Sequence, residues 1–598
     1  MTHRVAETMK HSTMARPRNI RSSFSSLNPP PFFDLLSLTI FASFFSPKKI
    51  PRTLNPYLSL FFLSLLTSLA FLGISTINFL YSSPFYADSC SPKSPISFSS
   101  TSSSSQSRLL LSLLSPVASS THQELPKLST SVMIPLPAHG VSSNLSNEET
   151  EFWKQPDGEG YRPCLDFSFE YRKASAKISK ENRRFLMVMV SGGLNQQRNQ
   201  IADAVVIARI LEAALIVPIL KVNLIWKDER QVIFVTFSRF CSVLFFSFFF
   251  SGVSRHGVLL ILSKFSDIFD VEHFKKTLRA DVRVVSSLPF KHFKSKETKI
   301  PHDVSPHWIR SRFLTQLNKE RLLVLNGLDS KLSKNLSFDL QKLKCKVAFH
   351  ALKFAAAIQE LGNQLTRRMW IEGPYIAIHL RLEKDVWVRS GCRTGLGSDY
   401  DAIIAKTRNS QPEYLTGRIN MSHIQRRRAG LCPLNALEIA RLLKALGAPK
   451  QARIYTAGGE PFGGKKALQP LIAEFPNIVT KYTLSREGEL SPFINKSSAM
   501  AAIDYIVSLS SDVFMPSHGG NMGRAMQGHR AYVGHRKYIK PNKRAMLEYF
   551  DDASISETEL GTIVRKLHKG CMGQPEPRTK RKDRDIIAYP MPECMCQS

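Results

Sequence analysis

Phe185-Leu-Met-Val-Met-Val190 runs into Ser191-Gly-Gly-Leu-Asn-Gln-Gln-Arg-Asn-Gln200 and then into Ile201-Ala-Asp-Ala-Val-Val-Ile-Ala-Arg-Ile-Leu-Glu-Ala-Ala214. Six apolar residues ended by a polar turn read as a strand, and the apolar positions after the turn recur at helical spacing. Strand, glycine turn and helix together aim unpaired backbone N–H groups at an anion. Gly192 and Gly193 permit close backbone approach, while Asn195 and Gln196 add neutral donors and acceptors. The spacing is neither a P-loop nor the dinucleotide fingerprint, so the turn alone names no ligand.

Two later segments repeat the theme. Tyr375-Ile-Ala-Ile-His-Leu-Arg381 reads as a buried strand that delivers a guanidinium at its end. A planar, permanently charged fork suits a diphosphate. The alternative is an arginine paired with Glu383 or Asp385, because paired surface arginines are common. His379 faces the same side as Arg381 by strand alternation, either toward a nucleotide or as a satisfied core histidine. Ile503-Asp-Tyr-Ile-Val-Ser-Leu-Ser-Ser-Asp512 leads into Val513-Phe-Met-Pro-Ser517-His-Gly-Gly-Asn521-Met-Gly-Arg524, again an apolar segment, a glycine turn and a helix. From about Trp153 strands and helices alternate, which predicts an α/β fold with parallel sheets and ligands at the carboxyl ends of the strands.

Taken in order, these segments resemble the plant O-fucosyltransferase-like family of glycosyltransferases, over about residues 160 to 550. The resemblance rests on Gly192-Gly-Leu-Asn-Gln196, Asp270-Val-Glu-His-Phe274, His379-Leu-Arg381, Ala429-Gly-Leu-Cys-Pro433, Tyr455-Thr-Ala-Gly-Gly-Glu460 and Ser511-Asp-Val-Phe-Met-Pro-Ser517. It implies a GT-B-like fold, two Rossmann-like lobes with a nucleotide sugar in the cleft between them, and an inverting, metal-independent enzyme without a resident cofactor. Arg381 would be catalytic, holding the donor's diphosphate. Gly192, Gly193, Asn195, His379, Asp512 and Ser517 would complete the donor site, with Asp512 accepting from base or ribose, or else capping a turn. Some distant fucosyltransferases carry a Glu at the glycine turn to deprotonate the acceptor. Here Gly192 takes that position, so no base is evident, and an oxocarbenium-like path is implied. The donor implied is GDP-fucose and the acceptor a protein or cell-wall glycan. A UDP-rhamnose-dependent pectin rhamnosyltransferase and a noncatalytic glycan-binding or scaffold member are the alternatives.

The chain has 598 residues, 43% of them hydrophobic, enough for two or three domains with a sizeable core. A formal charge of +33 raises nucleic-acid binding, but the sequence has no basic heptad helix, zinc-finger spacing or aromatic RNA-binding signature. Much of the charge lies in tails such as Arg578-Thr-Lys-Arg-Lys-Asp-Arg584. Residues 53 to 87 carry no charge, and Tyr57 to Leu80 would span ~36 Å as a helix, enough to cross a bilayer. Lys48, Lys49 and Arg52 precede it, which places residues 1–52 in the cytosol and the body in the lumen. A cleaved signal peptide is the competing reading. A single-pass type II Golgi enzyme has this layout. Asn144, Asn335, Asn420 and Asn495 fit the glycosylation pattern. Nine cysteines suit an oxidising compartment and show no paired zinc spacing.

The expected organisation is a basic tail over 1–52, a signal anchor over 53–80, and a Ser/Thr/Pro-rich stem over 81–150. Lobes over 151–370 and 371–548 follow, then a basic polar tail over 549–598. Within the first lobe, residues 230–262 are crowded with Phe, Val, Ser and Leu and have neither helical nor strand period. Trp226-Lys-Asp-Glu229 reads naturally into Ser263-Lys-Phe-Ser-Asp267, and Gln231-Val232 fits a splice donor, so the block reads as a translated, retained intron. A second membrane segment is the rival reading, but the apolar run between Arg239 and Arg255 is too short. Asp399-Tyr-Asp401 and Asp583-Arg-Asp585 look like metal motifs but read as chance, so no metal site is expected.

Overall fold

The structure is a computed structural model that describes residues 133–140, 145–178, 183–222, 228, 262–289, 297–329, 331–416, 420–580 and 584–597. The chain divides into compact units at 1–79 and 80–598, and every described residue lies in the second. The expected tail and anchor, most of the stem, Asn144, Asp583 and nearly all of block 230–262 therefore lie outside the described residues. No described helix is long and apolar enough to cross a membrane.

Two sheets organise the body. In the first, β2 (Phe185–Val190) is central. One edge pairs in parallel with β3 (Ala214–Ile216) and β4 (Ile219–Lys221), the other with β8 (Leu322–Asn326). Pro218, which has no N–H for a neighbour, falls between β3 and β4. β6 (Val284–Val285) lies beyond β3 and β7 (Glu297–Thr298) beyond β8, both parallel. β5 (Leu262–Ser263) joins the β4 edge antiparallel, with Leu220 opposite Ser263. The chain therefore leaves this edge after Lys221 and rejoins it at Leu262, and the suspected insert lies between.

The second sheet is all parallel, in the order β11 (Ile478–Thr480), β10 (Arg453–Ala457), β9 (Tyr375–His379) and β12 (Val513–Pro516). Side-chain alternation divides β9 between two cores, Tyr375 and Ala377 on one face and Ile376 and Ile378 on the other. That explains its unbroken apolar run, since a parallel strand covered on both faces has no solvent side.

The helices used below are α1 (Asn147–Trp153), α2 (Leu194–Ile210), α3 (Ala356–Ile371), α4 (Ser497–Ser510), α5 (Asn521–Tyr532), α6 (Lys543–Asp551) and α7 (Glu557–His568). One apolar core runs through α2, α4 and residues of both sheets, so the lobes are joined by packing as well as by chain. Arg198 of α2 crosses this junction, with its guanidinium 4.3 Å from the Tyr505 ring of α4 and a bond to the Ala348 carbonyl. The lobe boundary expected at 370 coincides with the end of α3. A Cβ on Gly362 of α3 would lie 2.5 Å from Ile506 Cδ1 of α4, so the two helices pack at close range beside the second sheet.

Parts of the segments read as stem and as polar tail pack onto the body. The end of the stem packs onto the body: Met133 and Leu136 are buried, and Trp370 Nε1 donates to the Pro137 carbonyl. Ser146 then caps α1, which sends Phe152 and Trp153 inward. The expected C-terminal tail is likewise structural. It contains α7, buries Ile586, Ile587, Ala588, Tyr589 and Met591, and ends in β13 (Met595–Gln597) paired antiparallel with β1 (Tyr161–Pro163). Disulfides Cys345–Cys594 and Cys164–Cys596 fasten it, and Cys392–Cys432 ties the second lobe. Cys571 is also disulfide-bonded. Average charge hides the apolar run after Arg584, so the tail looked polar.

Candidate nucleotide-sugar site

The glycine turn behind β2 needs its first glycine. Gly192 has φ +87°, and a Cβ there would sit 2.2 Å from Gln196 Oε1. Gly193 caps α2 without a side-chain bond, so the first-turn N–H groups have no capping side chain. The second turn mirrors this arrangement. Gly520 caps α5 without a side-chain bond, and a Cβ on Gly519 or Gly520 would meet nothing within 4 Å. The bareness of this turn leaves room for a ligand to reach the backbone. The two helix starts meet where Asn195 Nδ2 donates to Met522 Sδ at 3.2 Å.

Arg381 and its neighbours occupy the carboxyl edge of the second sheet. Arg381 N donates to Ser517 Oγ at 2.9 Å, and Ser517 N donates to the His379 carbonyl at 3.0 Å. Ser517 also accepts from Leu434 N, so this fully buried serine fixes the strand ends. The Arg381 guanidinium lies 3.2 Å from Glu383 and 3.4 Å from Asp385, the two carboxylates named as its alternative partners. Its side chain is 22% exposed, and the two carboxylates hold it in a defined place. Burial, reinforced by Arg381 and Lys481, pushes the half-buried His379 imidazole down to about 3, so the ring is neutral at working pH.

The motif Tyr455–Glu460 serves as scaffold. Asp504 accepts from Tyr455 Oη at 2.7 Å, Gly458 N at 3.0 Å and Lys481 Nζ at 2.8 Å. Lys481 also donates to the Gly458 carbonyl, and Gly459 N donates to Glu383 Oε1 at 3.0 Å. A Cβ on Gly458, at φ +137°, would be 2.4 Å from the Leu380 carbonyl. Thus β10's end braces the carboxylate that braces Arg381. Sequence reading had Glu383 and Asp385 only as rivals to ligand binding and gave Tyr455–Glu460 no role.

Asp512 does not belong to this site. It precedes β12, where its N–H bonds the Tyr375 carbonyl at the start of β9, so it lies at the amino edge of the sheet. Its carboxylate accepts from Tyr375 N at 3.0 Å, from His139 N at 2.8 Å and from the His139 ring at 3.1 Å. Although burial opposes ionisation, the bonds from His139 and Tyr375 hold its carboxyl below the usual range. The residue pins the 133–140 segment to the body. Gly192, Gly193 and Asn195 line one turn, His379, Arg381 and Ser517 the facing strand ends, and Asp512 stands apart.

Three buried polar atoms here have no partner: Asn195 Oδ1, His379 Nδ1 and Glu383 Oε2. Leaving such an atom unpaired costs about 1–3 kcal/mol, and a ligand with hydroxyl or amide donors relieves it. Among the described residues, the three sequons Asn335, Asn420 and Asn495 are exposed. Asp401 serves as a turn acceptor for Thr394, and Asp585 pairs with Lys344 at 3.6 Å.

Strand ends, bare helix starts and a braced arginine define an α/β protein equipped to hold an anionic ligand. The family described as GDP-fucose protein O-fucosyltransferase matches residues 185–251 and 260–533. O-fucosyltransferase 37 of Arabidopsis thaliana is 58% identical over 596 residues, covering 97% of each chain. O-fucosyltransferase 20 of Brassica napus is 54% identical over 451 residues, 75% of each chain. POFUT1 solved in complex with GDP-fucose (crystal-form-I) covers 60% of this chain and 98% of its own at 12% identity, with a TM-score of 0.34. The chain belongs to the O-fucosyltransferase family of glycosyltransferases, as its motifs had suggested.

Proposed function

We propose that this protein moves a deoxyhexose, fucose from GDP-fucose, onto a hydroxyl of a protein or cell-wall glycan. The observation that carries the reading is the convergence of the glycine turn of α2, the glycine turn of α5 and the Arg381 strand end. The family's description supports GDP-fucose as donor. In this reading the fold is GT-B-like, with the donor between the lobes. Arg381 and the helix N-termini take up charge on the departing diphosphate, a role that electrostatic preorganisation fills well. Because these groups supply the positive charge, the reaction needs no metal ion, and attack from the opposite face inverts the anomeric centre. The disulfides suit a luminal body, and the uncharged stretch 53–87 after a basic leader suits a type II Golgi anchor.

The test is nucleotide release by the purified full chain from GDP-fucose, UDP-rhamnose and GDP-mannose, with and without EDTA. Release fastest from GDP-fucose and indifferent to EDTA is expected. Preference for UDP-rhamnose would replace the donor, and loss with EDTA would replace the metal-free mechanism.

A further inference from the structure

Transfer to a hydroxyl produces a proton that something must accept. The residues assembled so far are poorly suited. His379 is held neutral by an environment that disfavours its charged form. Glu383 and Asp385 are engaged with Arg381, and Asn195 is an amide.

The first sheet offers another carboxylate. Asp329 lies three residues beyond β8, the strand paired along the whole of β2's first five residues, and so at the same carboxyl edge as the glycine turn. It is half-buried. Its Oδ2 accepts a hydrogen bond from Gln196 Nε2 at 2.5 Å. Gln196 itself folds back over Gly192, its Oε1 filling the volume that any side chain on residue 192 would need. The turn that approaches the donor therefore carries, on an amide arm, a carboxylate from the neighbouring strand end. A sequence pattern would not reveal this, because Gln196 and Asp329 are 133 positions apart.

We infer that Asp329 is the general base of the transfer and Gln196 the residue that positions it. This rests on the donor-site reading above. The acceptor hydroxyl gives its proton to the Asp329 carboxylate as its oxygen bonds the anomeric carbon. The bond from that carbon to the diphosphate oxygen breaks, its electron pair leaves with the nucleotide, and Arg381 receives the charge.

The experiment uses the full chain and the three donors above, with water and then azide as acceptor. Azide is already an anion and needs no base. Asp329→Asn should lower nucleotide release to water about 100-fold or more, the usual effect of losing a base. Azide-dependent release, GDP affinity and melting temperature should stay at wild-type values. Gln196→Ala should give a smaller loss of the same kind. Near-wild-type release to water by Asp329→Asn overturns the assignment, and so do equal losses with water and azide. A wild type inert on all three donors overturns the donor reading and this one together. An active wild type with an indifferent Asp329→Asn leaves the donor reading standing.

Discussion

Asp512 and Arg381 both follow from apolar strands, yet they sit at opposite ends of neighbouring strands and do different work. Asp512, at the amino edge, spends its carboxylate on Tyr375 and His139. Asp512→Ala leaves the Tyr375 and His139 donors without their acceptor, and each buried donor left unsatisfied costs about 1–3 kcal/mol. The variant should melt markedly lower, yet bind GDP as the wild type does when assayed well below its melting point. Weaker GDP binding with unchanged melting would return Asp512 to the site. The strand period showed that His379 and Arg381 share a side, because alternation is local. It did not show which end of a strand Asp512 occupies, because that depends on where pairing starts. Asp329 was illegible for another reason, since its bond to Gln196 joins segments distant in sequence.

The elements most legible in the sequence were the two strand–glycine–helix joints, where local backbone demands and ligand demands coincide. Gly192 shows the coincidence, with a left-handed φ and no room for a Cβ. The elements least legible were those held by long-range partners. β13 is three residues long and pairs with β1, which is just as short, so neither carries a periodic signal. Two disulfides with sequence separations of 432 and 249 hold that corner together, and cysteine positions alone do not give their connectivity. The fold of residues 133–153 was hidden in the same way. Its few apolar residues are spread among Pro, Ser and Thr, and backbone partners such as Trp370, Asp512 and Ser510 lie 233 to 374 residues away.

As a whole, the molecule buries several histidines in neutral form. Burial, with Lys346 and His273 nearby, pushes His350 down to about 4, and His379 falls to about 3. In the unfolded chain both would titrate near 6.5. Below that pH the unfolded state binds protons that the folded state refuses, so stability falls as pH drops, by up to ~1.4 kcal/mol per pH unit for each group. The loss continues until the folded values near 4 and 3 are reached. Melting temperature should therefore decline from pH 7 to pH 5, and His350→Gln should flatten the slope. A melting temperature that rises over that range would contradict the burial of these rings. The lobes share one core, so the site depends on the whole body, and Arg381 is where fold and chemistry are most easily separated. Arg381→Lys keeps a positive charge between Glu383 and Asp385 but loses the planar fork. Turnover of GDP-fucose and melting temperature, measured on the same preparation, should show about a hundredfold loss of rate, on the order of 3 kcal/mol, with melting nearly unchanged. A folded Arg381→Lys protein with near-wild-type turnover would contradict the diphosphate clamp, as would a loss of activity that merely follows a fall in melting temperature.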